Sequence, residues 1–165
     1  MGEDMAIGLK AYVTVFLMYD DQVLLLKRSN QKSFAPGNWT GVGGRVEGVE
    51  FADLATAVFR EVHEETGLER HEVQDLRLRV VLTQPESGDL VLVCFYVGTA
   101  LRRVDGPCAE GQLCWEDTVA IDDLDMIENA RCALKIILTS GEQSNAPGNL
   151  DEVVFLSTFH RSPEQ

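Results

Sequence analysis

Basic residues are scarce in this chain. Lys and Arg number 14 against 27 Asp and Glu, for a formal charge of -13. That shortage argues against binding to bare DNA or RNA, which takes a basic face to neutralise phosphates. It leaves open a small phosphorylated ligand, provided a divalent cation bridges the two negative partners. Long apolar runs are missing too: no stretch approaches the roughly 18 residues of a membrane span. The first residues, "MGEDMAIGLK", hold no basic segment followed by an apolar run, so no secretory signal is expected. The four cysteines, Cys94, Cys108, Cys114 and Cys132, show no C-x-x-C spacing. Cys94 and Cys132 lie in apolar segments and are expected to be buried thiols, in keeping with a reducing cytoplasm. Internal repeats and long linkers are also absent, so residues 1–165 read as one domain.

What is present is the hydrophobic and charged balance of an ordinary soluble globular protein. "LKAYVTVFLMYDDQVLLLKRS" reads as two strands around Asp20-Asp21-Gln22. "NQKSFAPGNWTGVGG" follows, a turn-rich segment whose length suggests a functional loop. "LRLRVVLTQ" and "DLVLVCFYVGTA" form two further strands around the turn Pro85-Glu86-Ser87-Gly88, and "QLCWEDTVAI" a fifth. Asp122 is placed to cap a helix running to about Thr139. From Ser140 the segment "SGEQSNAPGNLDE" reads as a loop, and "EVVFLSTF" as a last strand, giving a C-terminal loop and strand over 140–160. Strands and helices mix without regular βαβ alternation, which predicts an α/β (α+β) fold with a mixed sheet flanked by helices.

The segment "REVHEETGL", Arg60 to Leu68, poses an electrostatic problem. At about 100° per residue a helix gathers Glu61, Glu64 and Glu65 on one face, where like charges repel by about 0.2–0.5 kcal/mol per pair. Ala55, Val58, Phe59 and Val62 form the stripe expected to enter the core. Ala57, one turn before Glu61, is small enough to let another backbone approach. Asp53 suits the N-cap, and Gly67 with Leu68 suits a left-handed C-terminal cap. A solvated acidic face is the ordinary explanation of such a cluster. Against it, these carboxylates border the core stripe, Arg60 stands i,i+4 from Glu64, and the glycine-rich "GVGGR" lies just upstream. Hard oxygen ligands with a close backbone suit Mg²⁺ or Mn²⁺.

"GGRVEGVEFADLATAVFREVHEETGL" resembles the Nudix box, G-x5-E-x7-R-E-U-x-E-E-x-G-U with U a bulky apolar residue. Arg60 to Leu68 match its second half at every position. One departure stands out. Gly44 to Glu50 fit G-x5-E, yet nine residues separate Glu50 from Arg60 where the pattern has seven. Counted back from Arg60, Ala52 falls where the first box glutamate belongs, a residue that in the family supports the box arginine. Glu47 and Glu50 are the alternatives for that task.

The resemblance implies a Nudix-type α/β/α sandwich that hydrolyses a nucleoside diphosphate linked to a further group X, with Mg²⁺ (or Mn²⁺) as cofactor. By position, Glu61, Glu64 and Glu65 would be metal ligands, joined by the Gly44 carbonyl, with Arg60 orienting the carboxylates. Which glutamate serves as base varies in the family; Glu61 and Glu64 are candidates. "AEGQLCW" resembles the E-G-Q segment of MutT-type enzymes and makes Glu110 a candidate fourth carboxylate. Lys27, Arg28 and Arg45 are candidates for substrate contact, and Trp39, Thr40 and Asn129 for the base pocket, an Asn presenting both donor and acceptor. Thr40 stands where relatives that prefer oxidised purines often have Asn. The substrate expected first is a (deoxy)nucleoside triphosphate such as 8-oxo-dGTP, cleaved to monophosphate and pyrophosphate. ADP-ribose or a dinucleoside polyphosphate comes next, Pro85 lying near a proline of ADP-ribose hydrolases. A nucleotide sensor without turnover is a third reading. A nucleotide is the expected partner, with no nucleic acid or membrane, and the chain is expected to be a monomer or homodimer.

Overall fold

A computed structural model of the chain describes residues 6–142 and 152–157. Two apolar runs form a hairpin, β1 (Leu9–Tyr19) and β2 (Gln22–Arg28), around Asp20, whose φ of 51° is of the kind Asp tolerates in tight turns. β3 (Trp39–Thr40) and β4 (Val42–Arg45) follow, then a 3-10 turn at Gly48–Ala52 and helix α1 (Leu54–Thr66). β5 (Val73–Glu86) and β6 (Asp89–Ala100) make the longest hairpin. β7 (Gly106–Cys108), β8 (Gly111–Asp117), α2 (Glu128–Glu142) and β9 (Val154–Ser157) are the remaining strands and helix, with short 3-10 turns at Arg70–Glu72 and Thr118–Asp123.

The strands form one mixed sheet in the order β7-β8-β2-β1-β6-β5-β9, with β3 on β2 and β4 on β1. β1 runs parallel to β6, and β5 parallel to β9, while the remaining pairs are antiparallel. β1 changes partner along its length. Tyr12–Val15 pair with Arg45–Val42 of β4, whereas Leu17–Tyr19 pair with Leu24–Gln22 of β2. β2 and β4 thus flank the same edge of β1 at different heights, and residues of all three strands line the cleft described below.

Period-two alternation gives each side of the sheet a core. Val13, Val15, Leu17, Leu24 and Leu26 pack with Val58 and Val62 of α1, while Phe16, Val23, Leu25 and Phe95 pack with Ala133, Leu134 and Ile137 of α2. Each such Val, Leu, Ile or Phe side chain, fully buried, contributes about 1.5–3 kcal/mol of hydrophobic free energy. The expected helix–sheet–helix layering is therefore present.

Five details differ from the sequence reading. The strand expected over "QLCWEDTVAI" ends at Asp117, and Thr118–Asp123 form a 3-10 turn. α2 starts at Glu128 and not after Asp122, because the preceding backbone is already engaged with β3. Trp39 donates its N–H to Asp125 O, and Ile127 donates to Trp39 O, which keeps that stretch extended. The same helix runs on through Glu142, past the loop start expected at Ser140; the rest of that loop, 143–151, lies outside the described residues. The turn between β5 and β6 is Ser87-Gly88 alone, both with positive φ, so Pro85 and Glu86 belong to the strand. Cys132 is exposed on α2, although Cys94 is buried as expected. Among the described residues, no helix is long and apolar enough to cross a membrane.

Candidate active site

Helix α1 carries three carboxylates and one guanidinium, of which Glu65 lines the cleft. Its start is set by Asp53, whose Oδ1 accepts from Ala55 N at 3.1 Å. Its end is set by Gly67, which takes φ 72° and donates its N–H to His63 O. Between these caps, Ala57, Val58, Glu61, Val62 and Glu65 are buried. The buried face is thus rotated from the expected stripe: Ala55 and Phe59 are half-buried, and two of the three glutamates point inward. Glu64 stays in water, its side chain 56% exposed. Gly44 of β4 faces Glu61 so closely that a Cβ there would collide with both of its carboxylate oxygens. A glycine at this position is what lets the helix carboxylate approach the strand backbone.

Arg60 gathers the acidic groups. Its Nε donates to Glu50 Oε1 at 2.6 Å and its Nη2 to Glu50 Oε2 at 3.1 Å, a two-point contact. Nη1 reaches Glu61 Oε1 at 2.6 Å and Glu64 Oε2 at 3.3 Å, while Nη2 also donates to the carbonyl of Arg45. The alternatives for the supporting glutamate resolve to Glu50. The two residues by which the segment exceeds the pattern are taken up in the 3-10 turn Gly48–Ala52, stapled by Glu47 N donating to Glu50 Oε2 at 2.9 Å. Glu47 itself is exposed. The bond to Arg60 holds the Glu50 carboxyl below the ordinary carboxylate range despite its burial.

Glu65 has no such partner. Burial, reinforced by the charges of Glu61 and Glu110, pushes its pKa up to about 8. Its Oε2 is buried without a hydrogen-bond partner, an arrangement that costs free energy unless something positive supplies the missing contact. Burial also raises Glu61, against the opposing hydrogen bond from Arg60. An orphaned carboxylate oxygen among hard oxygen donors fits Mg²⁺ or Mn²⁺ in chemical type. Among the described residues, however, no three carboxylate, imidazole or thiol groups already converge as a finished cage. Glu61 and Glu64 are turned toward Arg60, and Glu110 is paired with Lys32 at 2.7 Å.

Glu65 and Glu110 both line a cleft of about 430 Å³ that also takes in Thr40, Arg28, Phe34 and Asn129. Asn129 Nδ2 donates to Gln84 Oε1 at 3.1 Å. Thr40 and Trp39 part company through strand register. Thr40 pairs with Leu26 and shares its side, and both line the cleft; Trp39 pairs with Lys27 and packs into the core beneath α2. Lys27 Nζ sits 5.7 Å from the Trp39 ring, so neither of these two expected contacts lines the cleft. Arg45 is exposed and does not line it either, contributing its backbone carbonyl to Arg60. Tyr12, Thr14 and Gln84 line it without having been singled out. The signal for Thr14 was a polar residue inside the apolar run "AYVTVF"; Gln84 becomes visible only through the pairing of β5 with β6.

The family profile of the NUDIX domain matches residues 8–131. The chain belongs to the NUDIX family. Solved structures agree in fold. A MutT NUDIX hydrolase from Burkholderia pseudomallei superposes with a TM-score of 0.61 and 26% identity, over 77% of this chain and 96% of that one. A MutT protein from Bacillus halodurans gives 0.64 and 22%, over 88% and 86%. An ADP-ribose pyrophosphatase from Streptococcus suis gives 0.61 and 19%, over 90% and 98%. No curated protein matches the sequence. Within the NUDIX family the chain is MutT-like and an enzyme of the pyrophosphohydrolase class.

Proposed function

We propose that this NUDIX enzyme hydrolyses a (deoxy)nucleoside triphosphate, with 8-oxo-dGTP the first candidate, to monophosphate and pyrophosphate. The observation that carries this reading is the buried, unpartnered Glu65 Oε2 at the wall of a cleft that also holds Arg28 and Asn129. Glu61, Glu64 and Glu65, with Glu110 and the Gly44 carbonyl, would hold Mg²⁺, which when bound offsets phosphate charge and activates water. Arg60 fixes the carboxylates, and Glu50 fixes Arg60. Glu61 and Glu64 are our candidates for the group that accepts the proton of the attacking water. Glu64, exposed and 3.3 Å from Arg60, has the greater freedom to turn. At the other end of the cleft the Asn129–Gln84 hydrogen bond spends one donor and one acceptor. Whichever way the two amides are oriented, one keeps a free acceptor and the other a free donor, a combination that suits a base edge.

A panel of triphosphates, oxidised and ordinary, assayed with Mg²⁺ by phosphate release with and without added pyrophosphatase, tests this directly. Turnover of triphosphates that needs pyrophosphatase for phosphate release is expected, and so is its loss by about 100-fold or more in Glu64→Gln. Absence of turnover with every triphosphate would refute the reading. ADP-ribose belongs in the same panel as the second substrate, because Pro85, the residue that suggested it, sits between the cleft residues Gln84 and Glu86.

A further inference from the structure

The loop between β2 and β3, residues 29–38, is tied by polar contacts to Arg28 and Glu110, two residues that line the cleft. Arg28 Nε donates to Phe34 O at 3.0 Å, and Ser29 N donates to Glu110 O at 3.0 Å. Lys32 Nζ lies 2.7 Å from Glu110 Oε2, with the two side chains 32% and 35% exposed. Glu110 therefore faces the cleft with its charge already answered, while Glu65 in the same cleft keeps an unpartnered oxygen. A lysine is a point charge on a flexible stem with three rotatable donors, suited to changing partners. A partly exposed ion pair is also weak enough to be traded for a better one. Lys32 does not itself line the cleft, but its partner Glu110 does, so phosphate oxygens held beside Glu110 would compete for Lys32 and a cation brought with them would compete for Glu110.

Resting on the nucleotide and cation reading above, we propose that Lys32 is a positioning residue that holds Glu110 in reserve. It exchanges Glu110 for the nucleotide's phosphates, so that the carboxylate turns to the cation only when nucleotide is present. The exchange keeps every charge paired before and after. It makes nucleotide and cation each favour the other's binding, since such coupling is reciprocal.

The test is Mn²⁺ binding to the full chain without nucleotide, read from the paramagnetic resonance signal of free Mn²⁺. Lys32→Met should tighten Mn²⁺ binding roughly three- to tenfold by releasing Glu110, whereas Lys32→Arg should bind as the wild type does. In a Glu110→Gln background Lys32→Met should give no gain. Unchanged Mn²⁺ affinity in Lys32→Met, or a gain that survives Glu110→Gln, would overturn the exchange while leaving the cation site standing. The second arm uses an α,β-methylene nucleoside triphosphate in EDTA, followed by calorimetry. Lys32→Met should weaken its binding about tenfold, and unchanged affinity would again overturn the exchange. A wild-type chain that binds no Mn²⁺, with or without the analogue, would overturn the cation reading itself and this one with it.

Discussion

Glu50 shows how one side chain keeps its task when its place in the sequence shifts. Its two oxygens take Arg60 Nε and Nη2, and it is 7% exposed, so removing its charge leaves a guanidinium short of its main partner. Glu50→Gln should lower unfolding free energy by about 2–3 kcal/mol, measured by denaturant titration. Glu47→Gln, at an exposed position, should stay within about 0.5 kcal/mol. If the two variants lose equal stability, Glu50 is not the support of Arg60. The sequence narrowed the choice to these two residues and no further. Position along the chain could not decide, because the 3-10 turn that brings Glu50 round is set by its own local hydrogen bonds. Glu65 is a parallel case: its membership of the cluster was legible, but its burial was not, since the core face of α1 turned out rotated toward the glutamates.

At the scale of elements, caps and alternation were the legible features. Asp53 and Gly67 bound α1 where the sequence placed them, because each acts through its own local geometry. Gly67→Ala forces a side chain into the left-handed region at φ 72° and should cost about 1 kcal/mol. Asp53→Ala should cost about 1 kcal/mol through the lost cap. With the sites at opposite ends of the helix, the double variant should show the sum in thermal or denaturant unfolding. A clear shortfall from additivity would mean the helix frays as a unit. What local reasoning could not see was pairing. Asp122 looked like a cap because no local signal reveals that Trp39 holds Asp125 and Ile127 in an extended bridge. The same blindness put Trp39 and Lys27 in the cleft, when their register against each other turns both away.

Taken whole, the molecule keeps two titratable groups neutral within one side of its sheet. Burial pushes the Cys94 thiol from 9.0 up to about 11 and, with nearby charges, the Tyr96 hydroxyl from 10.0 up to about 12. Below pH 9 Cys94 is neutral both folded and unfolded, and the stability tied to its burial is fully present. As pH rises from 9 through 11 the unfolded chain ionises first, so that stability is lost. For Cys94 the loss should approach about 3 kcal/mol. The slope of unfolding free energy against pH over that interval should be shallower in Cys94→Ala; an identical slope would remove Cys94 as its source. The overall layering was readable from alternation alone, whereas the cleft was not, because it arises where β1 passes from one partner strand to another.

β9 lies beyond the stretch matched by the NUDIX profile, which stops at residue 131. It pairs along Val80–Thr83 of β5, and so it acts as a guard for a strand that would otherwise offer open amides and carbonyls to any passing chain. A protein ended after Glu142 would keep Glu65, Asn129 and the cleft, yet present that row as a template for self-association. Such a truncated chain should scatter light increasingly with concentration while the full chain stays dispersed, and equal scattering from both would deny β9 this protective role. In that sense the last strand, itself at the end of the sheet, exchanges a stretch of long open edge for a short one.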